Sequence, residues 1–353
     1  MTLKRCMIFL VVVQFTFSQT NLATSPIYIC PPCNSVCDSL TFENPGSCEH
    51  CNTSLIHKKE LETFKNSRNK TIAFYLQDGV EVLDFAGPME VFSYAGFQVF
   101  TVSKSKETIT SQGVLNIIPD YAIADAPKAD ILAFFGGNVS KAYQDIEVID
   151  WVKKQENIEY YFSVCTGAFI LAEAGILQNK TATTFHSALN EFEKKYPKTK
   201  VLKDVRYVDN GKVITTAGIS AGIDGALHLV AKIQGFNNAR KVAYNIEYDK
   251  WTPGEGLLLT NDNPYSHYME IKNLEDYIGR YQFENNGQVE IELNQRENSI
   301  YAILDGQKYP LFYLNPDIFV GVNGQHVSFQ RNKNNIITGY RSSEADSILY
   351  KKL

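Results

Sequence analysis

The stretch Tyr160-Tyr161-Phe162-Ser163-Val164-Cys165-Thr166-Gly167-Ala168-Phe169-Ile170-Leu171-Ala172 restricts the fold more than any other part of the chain. An apolar, aromatic run of this kind reads as a buried strand. One cysteine, a small residue and a glycine follow, and then an Ala- and Leu-rich helical pattern. A strand that turns so sharply into a helix projects the Cys165 thiol beside the helix N-terminus. The helix dipole and the free backbone N–H groups there favour thiolate over thiol. The competing reading is a core cysteine acting as a small hydrophobe, and one cysteine without context does not separate the two.

The flanking sequence supplies that context. Strands are expected at 71–76, 97–103 and 129–135, and helices at 84–96 (with Pro88 tolerated in the first turn), 146–155, 220–233 and 238–248. Asp209-Asn210-Gly211 marks a hairpin over 207–216. Alternating β and α elements predict an α/β domain, a flavodoxin-like parallel sheet with helices on both faces. Sites in such sheets lie at the carboxyl ends of the strands. Asp84, Gly136-Gly137 and Cys165 each follow one strand. Asp84 is also a preferred helix N-cap residue. His228 falls on an apolar helix face and reads as a satisfied core histidine. Asp224 is expected to pack or cap at its helix start, and Glu81 to be a solvated loop residue.

These pieces resemble the ThiJ/PfpI superfamily, of class I glutamine amidotransferase-like fold. Asp78-Gly79-Val80-Glu81-Val82-Leu83-Asp84-Phe85-Ala86-Gly87-Pro88 is similar to its first-loop signature, Phe135-Gly136-Gly137 to its glycine turn, and Ser163-Val164-Cys165-Thr166-Gly167-Ala168 to its nucleophile elbow. Thr181-Ala182-Thr183-Thr184 and the block from Thr216 to Asp224 extend the match over about residues 70 to 250. Phe135 stands where a proline is common. Thr166 replaces the histidine that follows the nucleophile in many peptidase-, deglycase- or glyoxalase-like members. The likeness is therefore to the isonitrile hydratase-like branch and to the amidase-like domains of AraC-type regulators. It implies Cys165 as nucleophile, Asp84 as acid/base and Thr166 as helper, with the Gly136-Gly137 and Thr166 backbone stabilising charge and no catalytic cofactor. Phe135 and His186 are expected to line a substrate pocket. A dimer is a further implication of the superfamily.

The two ends of the chain differ from this centre. Lys4-Arg5 before the apolar run 7–13, and a small-residue context at 16–18, form a secretory signal pattern over residues 1–18. A secreted or periplasmic protein follows. Residues 19–57 hold two C-x-x-C knuckles, Cys30/Cys33 and Cys48/Cys51, with Cys37 between them. Their spacing suits a structural zinc. Disulfides are the alternative in an oxidising compartment, but five cysteines cannot all pair among themselves. The segment resembles the small cysteine-rich, metal-binding ribbons of exported bacterial proteins. A charged linker is expected at 58–70 and another linker at 251–273, bracketing the α/β domain at 71–250. Beyond it, short alternating strands with turns at Asn285-Asn286-Gly287, Asp305-Gly306 and Asn323-Gly324 predict an antiparallel β-domain over 274–353. That domain resembles those appended to β-lactamase-like serine hydrolases, and a ligand cup or a packing module fits it equally. His326 reads as a strand-surface residue.

The net charge of −5 and the absence of a long basic run exclude an obvious nucleic-acid partner. No later segment is long and apolar enough to span a membrane. Three functions remain open: a cysteine-dependent small-molecule enzyme of hydratase type or of another thiol chemistry (amidase, glyoxalase or deglycase), a noncatalytic sensor with the same pocket, and an exported metal-binding protein.

Overall fold

The computed structural model describes residues 27–29, 39–43, 55–58, 61, 70–248, 251–265, 271–282, 287–295, 299–322, 325–342 and 349–353. The signal pattern and Cys30, Cys33, Cys37, Cys48 and Cys51 lie outside the described residues. Among the described residues of this region, β1 (Tyr28–Ile29), β2 (Thr41–Phe42) and β3 (Ile56–His57) form a small antiparallel sheet in the order β2-β1-β3.

The α/β domain begins with β4 (Thr71–Tyr75), α1 (Val82–Tyr94) and β5 (Gln98–Ser103). A hairpin of β6 (Ile109–Ser111) and β7 (Leu115–Ile117) follows, then the short β8 (Tyr121–Ala122), β9 (Ile131–Phe134) and α2 (Ile146–Lys154). β10 (Tyr160–Val164) leads into α3 (Ala168–Glu173). After β11 (Thr181–Ala182), α4 (Leu189–Lys195) and β12 (Lys200–Val201) come β13 (Tyr207–Asp209) and β14 (Val213–Thr216), then α5 (Ala221–Gln234) and α6 (Phe236–Asn245). The main sheet runs β15-β13-β14-β10-β9-β4-β5-β8, where β15 is Leu257–Leu258. β15 lies inside the segment expected as a linker. It pairs in parallel with β13, so that segment forms a sheet edge instead.

The central strands β4, β9 and β10 are largely apolar because both faces are covered. Side chains alternate along β4: Ile72 and Phe74 join the core under α1, α5 and α6, whereas Ala73 and Tyr75 join the core under α2 and α3. The chain order turns between β4 and β9. β4 is followed outward by β5, and β9 by β10 on the other side, all parallel. This is the switch point at which α/β sheets open a crevice beyond their carboxyl ends. Pro88 falls in the second turn of α1 rather than the first, because the helix starts at Val82.

The C-terminal domain is a closed antiparallel barrel of β16 (Gly279–Gln282), β17 (Gln288–Asn294), β18 (Ser299–Leu304), β19 (Gln307–Asn315), β20 (Ile318–Gly321), β21 (His326–Arg331), β22 (Ile337–Ser342) and β23 (Leu349–Lys352). Tyr277, Tyr281, Phe319, Phe329 and Tyr340 fill its interior with Ile291, Ile300 and Leu311. A small barrel filled in this way is a packed core rather than a cup. Its outer face docks on α6, where the Asn237 side chain donates to the Tyr313 carbonyl at 2.5 Å. His326 is buried, contrary to the surface position expected for it. Burial, then the nearby Lys241 charge, holds its pKa below the usual histidine range. Among the described residues no helix is long and apolar enough to cross a membrane.

Candidate active site

Three loops at the switch point bring Asp84, Gly136, Cys165 and Thr166 together. A β-carbon built on Gly136 would stand 2.7 Å from Asp84 Oδ2, 2.7 Å from Thr166 Oγ1 and 2.8 Å from Cys165 Cβ. Only glycine fits at the centre of that cluster. Gly137 beside it has φ +91°, and a β-carbon there would meet the Gly79 carbonyl at 2.3 Å. The glycine pair is thus set by close approach and by backbone sign.

Cys165 sits on the predicted elbow. β10 ends at Val164, Cys165 takes φ +58° and opens a single 3-10 turn, and α3 starts at Ala168. A left-handed cysteine is strained, and the surroundings hold it in place. Its N–H donates to the Ala217 carbonyl at 2.9 Å, and the Thr184 hydroxyl donates to its carbonyl at 2.7 Å. Cys165 is 5% exposed.

Asp84 is not the N-cap of its helix. Glu81 holds that position, and Asp84 stands in the first turn with its carboxylate turned to other loops. Oδ2 accepts from the Gly136 N–H at 2.9 Å and Oδ1 from the Ile219 N–H at 3.0 Å. Ile219 has φ +53°, a strained conformation for a β-branched residue. A second strained residue therefore serves the same carboxylate. Burial is the largest influence on Asp84 and pushes its pKa up to about 6, against the lowering effect of hydrogen bonds from Gly136, the Cys165 thiol and Ile219.

The thiol contradicts the expected dipole effect. Burial first, and then the Asp84 charge, push Cys165 well above the usual thiol range, although the Thr166 N–H and hydroxyl oppose this. The pair therefore holds one proton on sulfur, hydrogen-bonded to an ionised Asp84, across the neutral pH range.

The remaining expected site residues divide. Thr166 joins the cluster, and its one hydroxyl proton can turn to the sulfur or, at 3.4 Å, to the Gly137 carbonyl. Gly136 is at the centre, but its N–H is committed to Asp84 and is not an open donor for an oxyanion. Phe135 is fully buried, 4.6 Å from the Phe74 ring, so it belongs to the core and not to a pocket wall. His186 lies exposed on a 3-10 turn and packs on Phe185 at 4.2 Å between ring centroids. No described hydrogen bond joins it to Asp84 or Cys165.

His228 is the satisfied core histidine expected. It bonds Asp209 through Nε2 at 2.9 Å and the Tyr265 hydroxyl through Nδ1 at 2.8 Å. Asp224 pairs with Arg206 and accepts from the Tyr248 hydroxyl at 3.1 Å. Sequence reasoning gave no role to Gln77, Thr184 or Ile219. Gln77 is buried directly beyond β4, and its amide donates to the Phe135 and Gly136 carbonyls at 3.0 and 2.9 Å, fixing the glycine turn. A buried amide at the carboxyl end of an apolar strand was the available signal.

Residues 70–232 match the DJ-1/PfpI family. The isonitrile hydratase of Pseudomonas putida is 34% identical over 183 residues, covering 50% of this chain and 78% of that protein. The chain belongs to the DJ-1/PfpI family. Other relatives are transcriptional regulators. The HTH-type regulator CdhR of Pseudomonas aeruginosa is 27% identical over 169 residues, and the match spans half of that regulator. A THiJ/PfpI family protein of known structure from Pseudomonas syringae is 28% identical and covers 53% of this chain and 79% of that one, with a TM-score of 0.47. In DJ-1/PfpI terms, the cluster around Gly136 occupies the loops that follow β4, β9 and β10.

Proposed function

We propose that this protein is an exported, cysteine-dependent hydratase that converts isonitriles, or closely related electrophiles, to N-substituted formamides. One observation carries the reading: the Cys165 thiol is hydrogen-bonded to a buried carboxylate with a pKa pushed up to about 6. An isonitrile carbon must gain a nucleophile and a proton together, and this pair offers both. Sulfur attacks the terminal carbon and a C–S bond forms. The S–H bond breaks, Asp84 carries its proton, and that proton completes a C–H bond to give a thioimidate. Water then adds across the C=N bond. Asp84 takes a proton from the attacking water and delivers it to the nitrogen. Collapse of the adduct breaks the C–S bond as the C=O bond forms, releases the formamide, and passes the adduct's hydroxyl proton to the departing sulfur. The Thr166 N–H and hydroxyl steady the sulfur throughout. The isonitrile hydratase relative supports the substrate class.

The test is incubation of purified protein with cyclohexyl isocyanide, with N-cyclohexylformamide as the readout. Product from the wild type and none from Cys165→Ala is the expected result. A well-folded wild type that yields no product sinks the hydratase reading, and the regulator relatives then favour a noncatalytic sensor. The proposal also includes cleavage after residue 18, a homodimer, and a structural zinc on Cys30, Cys33, Cys48 and Cys51. Intact mass of the exported protein, light scattering, and metal analysis of the full chain beside Cys48→Ser test these in turn.

A further inference from the structure

The side chain of Gln77 is buried just beyond the end of β4, 3% exposed, and no step of the proposed cycle uses it. Both of its N–H groups are spent. Nε2 donates to the Phe135 carbonyl at 3.0 Å and to the Gly136 carbonyl at 2.9 Å. Two acceptors on one side fix the orientation of the amide, since a reversed amide would turn its oxygen toward both. The oxygen, Oε1, is buried with no hydrogen-bond partner among the described residues. A buried acceptor left unmet costs about 1–3 kcal/mol. Packing alone would favour a residue without that oxygen, so the glutamine is held there for its donors.

The two carbonyls differ in what they control. That of Gly136 also accepts from the Glu81 N–H at 3.1 Å. That of Phe135 belongs to the same peptide group as the Gly136 N–H. The atoms of a peptide group are coplanar, so fixing its oxygen fixes the N–H on the opposite edge. This N–H donates to Asp84 Oδ2 at 2.9 Å. Gln77, the peptide and Asp84 therefore form one chain of hydrogen bonds. A donor on the carbonyl polarises the N–H and strengthens its bond to the carboxylate. Gly167 of the elbow packs on the preceding peptide: a β-carbon there would meet the Phe134 carbonyl at 2.3 Å and the Phe135 nitrogen at 2.8 Å. Asp84 and the elbow thus abut the same turn.

We propose that Gln77 is a positioning residue: through the Phe135–Gly136 peptide, its amide holds and polarises the N–H that stabilises Asp84 as a carboxylate. What Asp84 does with its proton rests on the hydratase reading, whereas the chain of bonds does not. The other titratable groups that act on Asp84 are the Cys165 thiol, which donates to it, and Glu81, whose charge works in the same upward direction as burial.

The full-length protein is labelled with 13C at its aspartate carboxyl carbons and titrated without substrate; the Asp84 signal is the one missing from Asp84→Asn. Gln77→Met keeps the length of the side chain and removes both donors. It is expected to raise the Asp84 midpoint from about 6 by about half a pH unit or more, about a threefold change in its ionisation constant. Thr199→Val removes a different buried donor, bonded to the Leu177 carbonyl at 3.0 Å, and should leave the midpoint in place. Should Gln77→Met fail to fold, the wild type decides: with 15N label, the Gln77 side-chain amide should shift with the same midpoint as the Gly136 amide. Three outcomes overturn the proposal: an unmoved midpoint in folded Gln77→Met, an equal movement in Thr199→Val, or a Gln77 amide that stays flat while the Gly136 amide titrates. No isonitrile is present in these titrations. A wild type that makes no formamide would therefore remove the hydratase reading and leave their result standing.

Discussion

Two aspartates of the α/β domain, Asp84 and Asp209, are both fully buried and titrate in opposite directions. Burial pushes each upward. At Asp84 no cation among the described residues answers it: the partners are two backbone N–H groups and a neutral thiol, and the pKa settles at about 6. At Asp209 the hydrogen bond and charge of His228, the Gly211 N–H and the Lys232 charge outweigh burial and hold the carboxyl below its usual range. Lys232 reaches Asp209 at 3.1 Å and Asp262 at 3.0 Å. Counter-charge, not depth, therefore separates a locked anion from a group that can move a proton. Asp209 ties α5 to the sheet edge through His228 and Tyr265. Asp84 shares a proton with a nucleophile.

The comparison breaks most visibly if the Cys165 corner is not the chemical one. Cys165→Ala is expected to lower turnover of cyclohexyl isocyanide by at least about a thousandfold, with unchanged circular dichroism. Asp209→Ala should do the reverse. It takes the buried acceptor from His228 Nε2 and leaves Lys232 only the exposed Asp262, and should cost about 3–5 kcal/mol in chemical denaturation, while the protein that stays folded keeps its turnover. Loss of turnover in folded Asp209→Ala would merge two sites that the geometry separates.

What the sequence made legible was local. Asp84, Gly136-Gly137 and Cys165 each follow a strand within one short motif, and the parallel order of β4, β9 and β10 brings them together. What it hid was contact across the fold. At Cys165 burial under the surrounding loops, and then the charge of Asp84 from a distant part of the chain, reverse the effect expected of the elbow's helix dipole. Phe135 continues the alternation of β9 and so turns into the core opposite Phe134. His326 is on an outward face as its strand pattern suggests, yet it is buried there, close enough to Lys241 of α6 to feel its charge. The edge strand β15 exists only through its pairing with Val208 and Asp209, which no local periodicity announces. The last barrel strand, Leu349–Lys352, carries two lysines in four residues and gave no apolar signal.

Opposite titration gives opposite pH slopes for stability. Asp84 has a folded pKa of about 6 against an ordinary 3.8. The folded state therefore binds this proton more tightly, and Asp84's contribution falls as pH rises from about 4 to 6. The change is on the order of 2–3 kcal/mol. Asp209, lowered in the fold, contributes stability above its ordinary pKa that is lost as pH falls through the folded value. Denaturation curves over that range should lose the first slope in Asp84→Asn and the second in Asp209→Asn. The same carboxyl sets the rate: kcat/KM should rise through pH about 6 as Asp84 ionises. It should then hold level past pH 8, because the thiol stays protonated.

Thr166 gives the smallest expected effect. Its hydroxyl hydrogen-bonds the sulfur or the Gly137 carbonyl and moves no proton in the proposed cycle. Thr166→Val keeps the volume and removes about one hydrogen bond, so turnover should drop about five- to tenfold. The pH limb near 6 should stay in place, since burial and the Gly136 and Ile219 N–H groups act on Asp84 independently of Thr166. A limb that moves by a unit or more would make Thr166 part of the titrating pair. The pair would then be a triad, and its contrast with Asp209 would rest on three groups instead of two.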